Sequence, residues 1–399
     1  MKKNKITNNK FAVIIGIIIM LVILFAIRFL WIKKLGIDDG QAVSQRQENV
    51  QTSETQGNVL EKLATDVEML EETDTHSYDF TVCFAGDINL DENWGTTKFL
   101  DSQPNGIGDC ISPKLLEYMQ SADIMCLNNE FTYSLLGEKM PGKSYTFRAN
   151  PARVNVLKEM GVDVVKLANN HSFDYGSQSL LDTLDTLENA GIEYFGAGRN
   201  LEEAMKPVYM DVDGKTVAFV GASRAEKNIM TPQATENSPG ILRCYDTALF
   251  VETIKEARKN ADFVLAYVHW GTEYSHQLEE VQLTTGKEYL DAGADVIIGA
   301  HSHCLQGMEY YDNKPIIYSL GNYWFNGKTL DTMLLELHFF GDDLNGQLEA
   351  KVIPAIQSGY KTTIVDDEKE QERIYSFLED ISINVIIDEN GYVMKKTKE

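Results

Sequence analysis

The stretch DVVKLANNHSFDYG, residues 163–176, joins a short apolar segment to an abrupt run of polar residues. Residues 163–168 have the composition of a buried strand, and the polar triplet 169–171 follows where that strand ends. The next segment, 177–190, carries apolar residues at helical spacing. Because a strand followed by a helix is the building unit of α/β proteins, this stretch predicts an α/β fold.

The same pattern recurs on both sides of this stretch. Short apolar runs end in polar residues, and amphipathic segments such as 248–260 and 280–292 separate them. The predicted strands are 78–85, 123–127, 163–168, 215–220, 263–268, 295–299 and 315–320, followed by 332–339 and 347–353. Strands that alternate with helices indicate a layered α/β fold, and continuous apolar runs indicate sheets covered on both faces.

Polar side chains follow many of these strands. Four of the seven histidines in the chain are among them. Because ligands of open α/β sheets bind at the carboxyl ends of strands, we expect these side chains to converge. The converging set is Asp87, Asn89, Glu130, Asn170, His171, His269, His301 and His303.

This set suits divalent metal ions. Carboxylates, imidazoles and amide oxygens bind metals such as Mn, Fe or Zn, and two metals about 3.5–4 Å apart need a bridging ligand. Glu130 is the only acid at its strand end, so we predict that it bridges the metals. The remaining predicted ligands are Asp87, Asn89 and His303 for one metal and Asn170, His269 and His301 for the other. Alone, each motif also has a structural interpretation, such as a helix cap or a buried histidine.

Two further residues are predicted to take part in catalysis. A water between two metals becomes a hydroxide nucleophile near neutral pH. His171 follows Asn170 but points elsewhere, and we predict that it protonates a leaving group. Asp174, three residues further on, is predicted to hold the tautomer of His171.

The N-terminal residues predict a membrane anchor. Residues 1–10 carry four lysines, and residues 11–32 are long and apolar enough to cross a bilayer. The lysines favour a cytoplasmic N-terminus and an extracellular main domain, and a cleaved signal peptide is the alternative. Residues 33–77 are predicted to be an acidic, flexible linker. The main domain is predicted over 78–385, with a tail at 386–399.

The chain has a formal net charge of −24, which argues against a nucleic-acid partner. An anionic substrate would need a metal or a local basic group. The loop KMPGKSYTFR, residues 139–148, supplies Lys143 and Arg148, which are predicted to bind substrate. The alternative is a surface loop with a structural arginine.

Six motifs in combination resemble the capsule synthesis protein CapA family, the poly-γ-glutamate biosynthesis relative of the calcineurin-like metallophosphatases. The resemblance runs from about residue 79 to 326. The motifs are Gly86-Asp87, Asn128-Asn129-Glu130, LANNH at 167–171 with Asp174-Tyr175-Gly176, VHWGTE at 268–273, GAHSH at 299–303 with QGME at 306–309, and YSLGN at 318–322.

The resemblance implies a four-layer sandwich of two mixed β-sheets flanked by helices, preceded by one transmembrane helix. It also implies a two-metal site in which the seven ligands named above match metal-binding positions and His171 matches the catalytic histidine. Metallophosphatases usually begin this site with Asp-x-His, whereas this chain has Asp87-Ile88-Asn89. They bridge the metals with aspartate, whereas this chain has Glu130.

Three functions remain open from the sequence. The first is a two-metal hydrolase or transferase that acts on poly-γ-glutamate, an anionic polymer, outside the membrane. The second is a non-catalytic accessory that binds the polymer for membrane synthase subunits. The third is a general cell-envelope metallophosphoesterase. The resemblance favours a role in capsule synthesis and leaves catalysis open.

Overall fold

The structure, a computed structural model, describes residues 76–396. The predicted cytoplasmic segment and membrane anchor, and all but the end of the predicted linker, lie outside the described residues. Within 76–396, no helix combines the length and the apolar character that crossing a membrane requires.

Residues 76–396 form a mixed α/β domain. The strands are β1 Ser77–Ile88, β2 Ile124–Asn129, β3 Thr132–Tyr133, β4 Arg148–Ala149, β5 Val164–Lys166, β6 Glu193–Phe195, β7 Ala197–Gly198, β8 Val208–Val212, β9 Lys215–Ser223, β10 Gly240–Ile241, β11 Phe263–Trp270, β12 Val296–His301, β13 Leu305–Tyr311, β14 Lys314–Leu320, β15 Asn322–Trp324, β16 Leu330–Asp342, β17 Gln347–Ser358, β18 Lys361–Ile364, β19 Val385–Ile387 and β20 Tyr392–Lys395. The α-helices are α1 Gly95–Asp101, α2 Pro113–Ser121, α3 Val154–Glu159, α4 Gly176–Ala190, α5 Leu201–Met205, α6 Ala248–Asn260, α7 Glu280–Asp291 and α8 Glu368–Asp380.

The larger sheet has ten strands and mixes parallel with antiparallel pairs. Its order is β19-β20-β17-β16-β1-β2-β5-β6, with β15 beside β1 and β18 beside β17. Strands β1, β2, β5 and β6 are parallel neighbours, whereas β16 runs antiparallel to β1. The carboxyl ends of β1, β2 and β5 therefore lie at one edge of the sheet.

The smaller sheet has six strands in the order β13-β14-β12-β11-β9-β8. Its four inner strands are parallel, and β8 and β13 are antiparallel edge strands. Strands β11 and β12, which carry the predicted histidine ligands, are adjacent with His301 paired to Trp270. Their carboxyl ends therefore also lie together.

Apolar side chains pack on both faces of each large sheet. One buried cluster contains residues of both sheets, and the rings of Phe84 in β1 and Tyr267 in β11 lie 5.8 Å apart within it. A second cluster packs α2, α3 and α4 on the larger sheet, and a third packs α6 and α7 on the smaller one. The predicted α/β class with sheets covered on both faces is therefore confirmed.

A close backbone approach connects the end of β14 to the end of β1. Gly321, at a φ of +68°, follows β14 and leads into β15, where Asn322 pairs with Asp87. The amide of Asp87 donates to the Gly321 carbonyl over 3.0 Å. A Cβ atom on Gly86 would lie 2.0 Å from that same carbonyl oxygen, so only glycine permits the approach.

The segment predicted as a C-terminal tail contributes to the larger sheet. Strand β20 pairs with β17 through Val393 and Ala350. Ile387 and Val393 are buried in the cluster between the sheets, and this apolar burial explains why residues 386–395 join the domain. The sequence also predicts a pair of strands around residues 388–391, and β19 and β20 form an antiparallel pair there.

Candidate metal centre

The predicted metal ligands lie at the carboxyl ends of five strands from both sheets. Asp87 lies near the end of β1 and Asn89 directly after it, Glu130 follows β2, and Asn170 follows β5. In the smaller sheet, the ligands are His269 in β11, His301 at the end of β12, and His303 in the turn after it. Each of the seven side chains belongs to a residue that is at most 9% exposed. The structure therefore brings the predicted set together in the interior.

Two overlapping groups in this set have a geometry that could hold a metal ion. One consists of Asp87, Glu130 and His303, and the other of Glu130, His269 and His301. In each group, the ligand atoms lie within 4.8 Å of one another. Glu130 belongs to both groups, which is the position that a bridging carboxylate requires.

In each of the two carboxylates, Asp87 and Glu130, only one oxygen has a hydrogen-bond partner. The Asn128 amide donates to Asp87 Oδ1 over 2.7 Å and to Glu130 Oε2 over 3.0 Å. The other oxygens, Asp87 Oδ2 and Glu130 Oε1, are buried without a hydrogen-bond partner. Unpaired buried carboxylate oxygens are costly, and a cation between them removes that cost. The residues present therefore fit a divalent metal.

Imidazole nitrogens surround the unpaired oxygen of Glu130. Glu130 Oε1 lies 3.8 Å from the Nε2 atoms of His171, His269 and His303. His301 Nδ1 is also buried without a partner. Metal–nitrogen and metal–oxygen bonds are each about 2.0–2.2 Å long. The 3.8 Å between Glu130 Oε1 and each imidazole nitrogen is too long for a hydrogen bond, and it leaves room for an ion between the two atoms.

Burial shapes the charge of the cluster. Burial and the Asp87 charge raise the pKa of Glu130 well above its ordinary value. Burial and the His303 charge lower the pKa of His301 to about 3, and burial with the Lys166 charge lowers the pKa of His269 well below its ordinary value. Neutral imidazole is the form that binds metals, so these histidines are in a ligating state.

His303 and Asp87 form a coupled pair within the cluster. Burial raises the pKa of Asp87, but the nearby His303, the Lys166 charge and the hydrogen bond from Asn128 outweigh burial, so the pKa is lowered. His303 Nδ1 lies 3.2 Å from Asp87 Oδ2 and 2.8 Å from Asn322 Oδ1. Only the contact with Asn322 has the geometry of a hydrogen bond. Asn322 therefore orients His303, and Asp87 Oδ2 stays available to a cation.

The backbone that presents His301 and His303 is strained. Their φ angles are +95° and +54°, a region that costs about 1–3 kcal/mol for non-glycine residues. The intervening Ser302 is held by the amide of Tyr274, which donates to its carbonyl over 2.6 Å, and by a 2.8 Å hydroxyl contact to Ser319. Strained residues of this kind persist where the surrounding structure imposes them, and here the strain aims two imidazoles at one cluster.

The predicted catalytic pair, His171 and Asp174, is in direct contact. His171 Nδ1 lies 2.6 Å from Asp174 Oδ2, and the Phe147 amide donates to that same oxygen over 2.7 Å. The Phe147 ring also packs 4.4 Å from the imidazole. His171 is thereby fixed with Nε2 directed at the cluster, while burial lowers its pKa.

The two predicted substrate-binding residues lie in different surroundings. Lys143 is buried, and its ammonium donates to Asp174 Oδ1 over 2.5 Å and to the Asn170 carbonyl. Its charge is therefore used within the protein, where it supports Asp174. Arg148 is partly exposed, donates to the Leu136 carbonyl over 2.8 Å and stacks over the Tyr175 ring. It lines a cavity of about 210 Å³, and its contact with substrate stays a prediction.

The two predicted amide ligands have partners of their own. Asn170 Oδ1 lies 2.8 Å from His269 Nε2, beside the second group. Asn89 Oδ1 accepts the Asp91 amide over 2.8 Å, and its Nδ2 is buried without a partner. The Asn89 side chain is therefore partly committed to its own turn.

Lys166 is a residue that the sequence analysis missed. It is fully buried in β5, with Nζ 3.0 Å from His269 Nδ1 and 4.5 Å above the Tyr267 ring. Burial lowers its pKa to about 7, against the opposing charges of Asp87 and Glu130. A lysine inside the apolar run VVKLA was the available signal.

Buried asparagines were also missed as orienting groups. Asn169 Nδ2 donates to Asn128 Oδ1 over 3.1 Å, and Asn128 in turn holds both carboxylates. Asn322 holds His303. The Asn-Asn doublets at 128–129 and 169–170 were visible, but only the packed structure shows which member faces the cluster.

Comparisons with known proteins place these motifs in a family. A family model described as bacterial capsule synthesis protein PGA_cap matches residues 81–327. The PGA biosynthesis protein CapA of Bacillus subtilis (strain 168) is 37% identical over 204 residues, which is 50% of this chain and 53% of that protein. The capsule biosynthesis protein CapA of Bacillus anthracis is 34% identical over 252 residues, 61% of this chain and 60% of that protein.

The chain thus spans between half and three fifths of the length of these two relatives. Among solved structures, a putative 5′-nucleotidase from Staphylococcus aureus aligns at 15% identity with a TM-score of 0.41, over 75% of this chain and 58% of that chain.

Proposed function

Since the chain belongs to the bacterial capsule synthesis protein PGA_cap family, we propose that it takes part in the synthesis or export of a poly-γ-glutamate capsule. The two similar curated proteins are named for PGA and capsule biosynthesis. We further propose that its two large sheets and flanking helices form a metallophosphatase-like four-layer sandwich. The inter-sheet core and the two helix-covered faces support this architecture.

The proposal places the domain outside the cell membrane. Residues 11–32 would anchor the chain, with the lysine-rich residues 1–10 in the cytoplasm. The polymer would then meet the domain as it leaves membrane synthase subunits, which are the proposed partners. A net charge of −24 means that an anionic polymer needs local cations for binding, and a metal centre would supply them.

We propose that the domain is a metal-dependent hydrolase or transferase. The observation that carries this is the sharing of Glu130, with its unpaired Oε1, between two ligand groups. Two divalent metals would be held by these groups, with Asn89 and Asn170 beside them. When bound, such metals supply Lewis acidity and an activated water.

The residues around the centre would position the substrate and move a proton. Asp174 holds His171 Nδ1, so the proton that His171 exchanges with a leaving group would be at Nε2, which lies 3.8 Å from Glu130 Oε1. Lys143 neutralises the second oxygen of Asp174. Arg148, at the partly exposed cavity, would contact an anionic group of the polymer.

A non-catalytic accessory is the second candidate. Its specific support is burial, since none of the seven candidate ligands is more than 9% exposed. Closed sites of this kind are typical of structural metals. In that case, the metal centre would stabilise a polymer-binding surface and would not act on the polymer.

Metal content tests the centre itself. The protein would be purified without chelator, incubated with Mn or Zn, and compared with Asp87→Ala and His303→Ala. We expect about two metals per chain, a clear loss in both variants, and no loss in the control His338→Ala, whose imidazole pairs with Asp79 away from the cluster. A wild type that binds no metal would sink the proposal.

His171→Ala separates the two candidates. If the domain is an enzyme, this variant keeps its metals but loses cleavage or transfer of poly-γ-glutamate, measured as the change in polymer length. If it is an accessory, a cell that carries the variant still produces the wild-type amount of polymer.

A further inference from the structure

A lysine and a tyrosine lie together beside the metal centre. The ammonium of Lys328 is 3.6 Å from the centroid of the Tyr274 ring, which is within the range of a cation–π contact. The Tyr274 ring in turn lies 5.8 Å from the imidazole of His303. Tyr274 is 43% exposed, so the pair lies where the candidate centre meets solvent.

The backbone on both sides of this pair is fixed. Tyr274 has a φ of +57°, and its amide donates to the carbonyl of Ser302, which lies between His301 at the end of β12 and His303 in the following turn. The turn that carries Lys328 is held by the buried Gln357, whose amide group bonds to the Lys328 carbonyl and to Asn326. Such fixed placement lowers the entropy lost when a ligand binds.

The Lys328 ammonium has no carboxylate partner. Among residues 76–396, no ion pair or hydrogen bond involves its Nζ, although acidic side chains outnumber basic ones by 60 to 36 in the whole chain. The acidic charges that act on His303 include Asp87 and Glu273, the sequence neighbour of Tyr274. An anion that approaches His303 is therefore repelled by Asp87 and Glu273 and attracted by Lys328.

We propose that Lys328, supported by the Tyr274 ring, forms a subsite that binds an anionic oxygen group of the substrate next to His303. The group is a carboxylate or a phosphate, because an ammonium recognises both as point charges. The inference rests on the proposed function. Lys328 would hold a charged group of the substrate while the bond that reacts lies at the candidate metal centre.

The subsite is distinct from the predicted Lys143 and Arg148. Lys143 is buried against Asp174, and Arg148 bonds to backbone carbonyls and stacks on another ring. Lys328 is exposed and keeps its donors free, so it can exchange water for a ligand oxygen at little structural cost. A preformed cation–π pair also keeps the long side chain near the ligand.

Binding experiments on the metal-loaded full-length chain test the subsite with two probes, poly-γ-glutamate of defined length and inorganic phosphate. The variants are Lys328→Gln, the conservative Lys328→Arg, and Tyr274→Leu, with metal content measured on each. Lys361→Gln is the matched control, because Lys361 is an exposed lysine over an aromatic ring, Phe99, elsewhere on the domain.

We expect Lys328→Gln to weaken poly-γ-glutamate binding about tenfold, as loss of a charge-assisted contact of about 1.5 kcal/mol implies. The affinity of Lys328→Arg for the polymer should stay within about threefold of the wild-type affinity. The affinity of Tyr274→Leu should lie between those of Lys328→Arg and Lys328→Gln. Glu273→Gln should tighten binding, since it removes the opposing charge. Metal content should be the same in all of these variants.

The outcomes separate the subsite from the proposed function. If the wild type binds the polymer and Lys328→Gln binds it equally well, the subsite is overturned and the capsule role still stands. Phosphate binding that depends on Lys328, without polymer binding, would support the subsite and contradict the polymer as its substrate. Failure of the wild type to bind either probe would overturn the subsite.

Discussion

Replacing the buried Lys166 by methionine should stabilise the metal-free domain and weaken its metal binding. Lys166 is fully buried behind His269, and no carboxylate forms an ion pair with its ammonium among residues 76–396. Methionine has a similar length and no charge, so Lys166→Met removes the cost of burial while it keeps most of the packing.

The magnitude follows from the pKa of Lys166. Burial lowers it from 10.5 to about 7. At about 1.4 kcal/mol for each pKa unit, this difference corresponds to about 5 kcal/mol of penalty on the charged form. Replacing buried charges by apolar groups typically recovers about 1–4 kcal/mol, so we expect a gain of that size in the free energy of unfolding at pH 7.

The sign of the pH dependence follows from the same shift. Between pH 7 and 10.5, the unfolded chain holds a proton on Lys166 that the folded chain has released, so the wild type becomes more stable as pH rises. The penalty is complete below pH 7 and disappears above pH 10.5, where the lysine is neutral in both states. The advantage of Lys166→Met should therefore shrink steadily between pH 7 and 10.

The assay is urea unfolding of chelator-treated protein at pH 7 and at pH 9.5, followed by metal titration of both proteins at pH 7. Lys158→Met, at an exposed position of α3, is the control and should change stability by less than about 0.5 kcal/mol. Metal affinity should fall about 10–100-fold in Lys166→Met, since His269 loses the group that orients it.

Either of two results would refute this reasoning. Lys166→Met could be less stable than the wild type at pH 7, which would mean that the ammonium is favourably solvated inside the domain. Alternatively, its advantage could be the same at pH 7 and pH 9.5, which would mean that the charge of Lys166 is not the cause.

Three other predictions concern the same site. Gly86→Ala places a Cβ atom 2.0 Å from the Gly321 carbonyl, so we expect a loss of more than about 3 kcal/mol in urea unfolding and a lower metal content. Asp174→Ala leaves the buried Lys143 ammonium unpaired, which should cost about 3–5 kcal/mol; adding Lys143→Met should recover part of that loss, and no recovery would contradict the ion-pair explanation. Metal at about a hundred times its dissociation constant should raise the free energy of unfolding by about 2.7 kcal/mol, seen as a higher Tm that a chelator reverses; an unchanged Tm would argue against a bound metal in the folded state.

The candidate ligands could be named from sequence because their signal is local. A polar residue at the end of an apolar strand is visible in a window of ten residues, and the rule that ligands gather at carboxyl ends of strands supplies the rest. Asp87, Glu130 and His269 were each identified in this way. Their side chains lie together in two overlapping groups that share Glu130, and their assignment to two metals stays a prediction.

Side chains that serve the ligands could not be assigned in the same way. Lys143 was expected to face substrate, yet its ammonium is buried against Asp174. The residues around Lys166 do not predict its contact with His269. Asn128 was noted only as part of a motif, yet it holds Asp87 and Glu130 together. Except for the contact between Asn128 and Glu130, each of these contacts joins residues that are at least two dozen positions apart in the sequence.

The sequence by itself determined the α/β class, the strand ends and the residue types of the candidate centre, because hydrophobic periodicity and residue type are local properties. Only the tertiary structure decided that β1, β2 and β5 lie in one sheet, that β11 and β12 lie in the other, and that Gly321 brings the end of β14 against β1. It also decided which basic side chains are buried and which, like that of Lys328, are exposed without an ion-pair partner among residues 76–396. Burial and pairing depend on which distant elements pack together, and no short window of sequence carries that information.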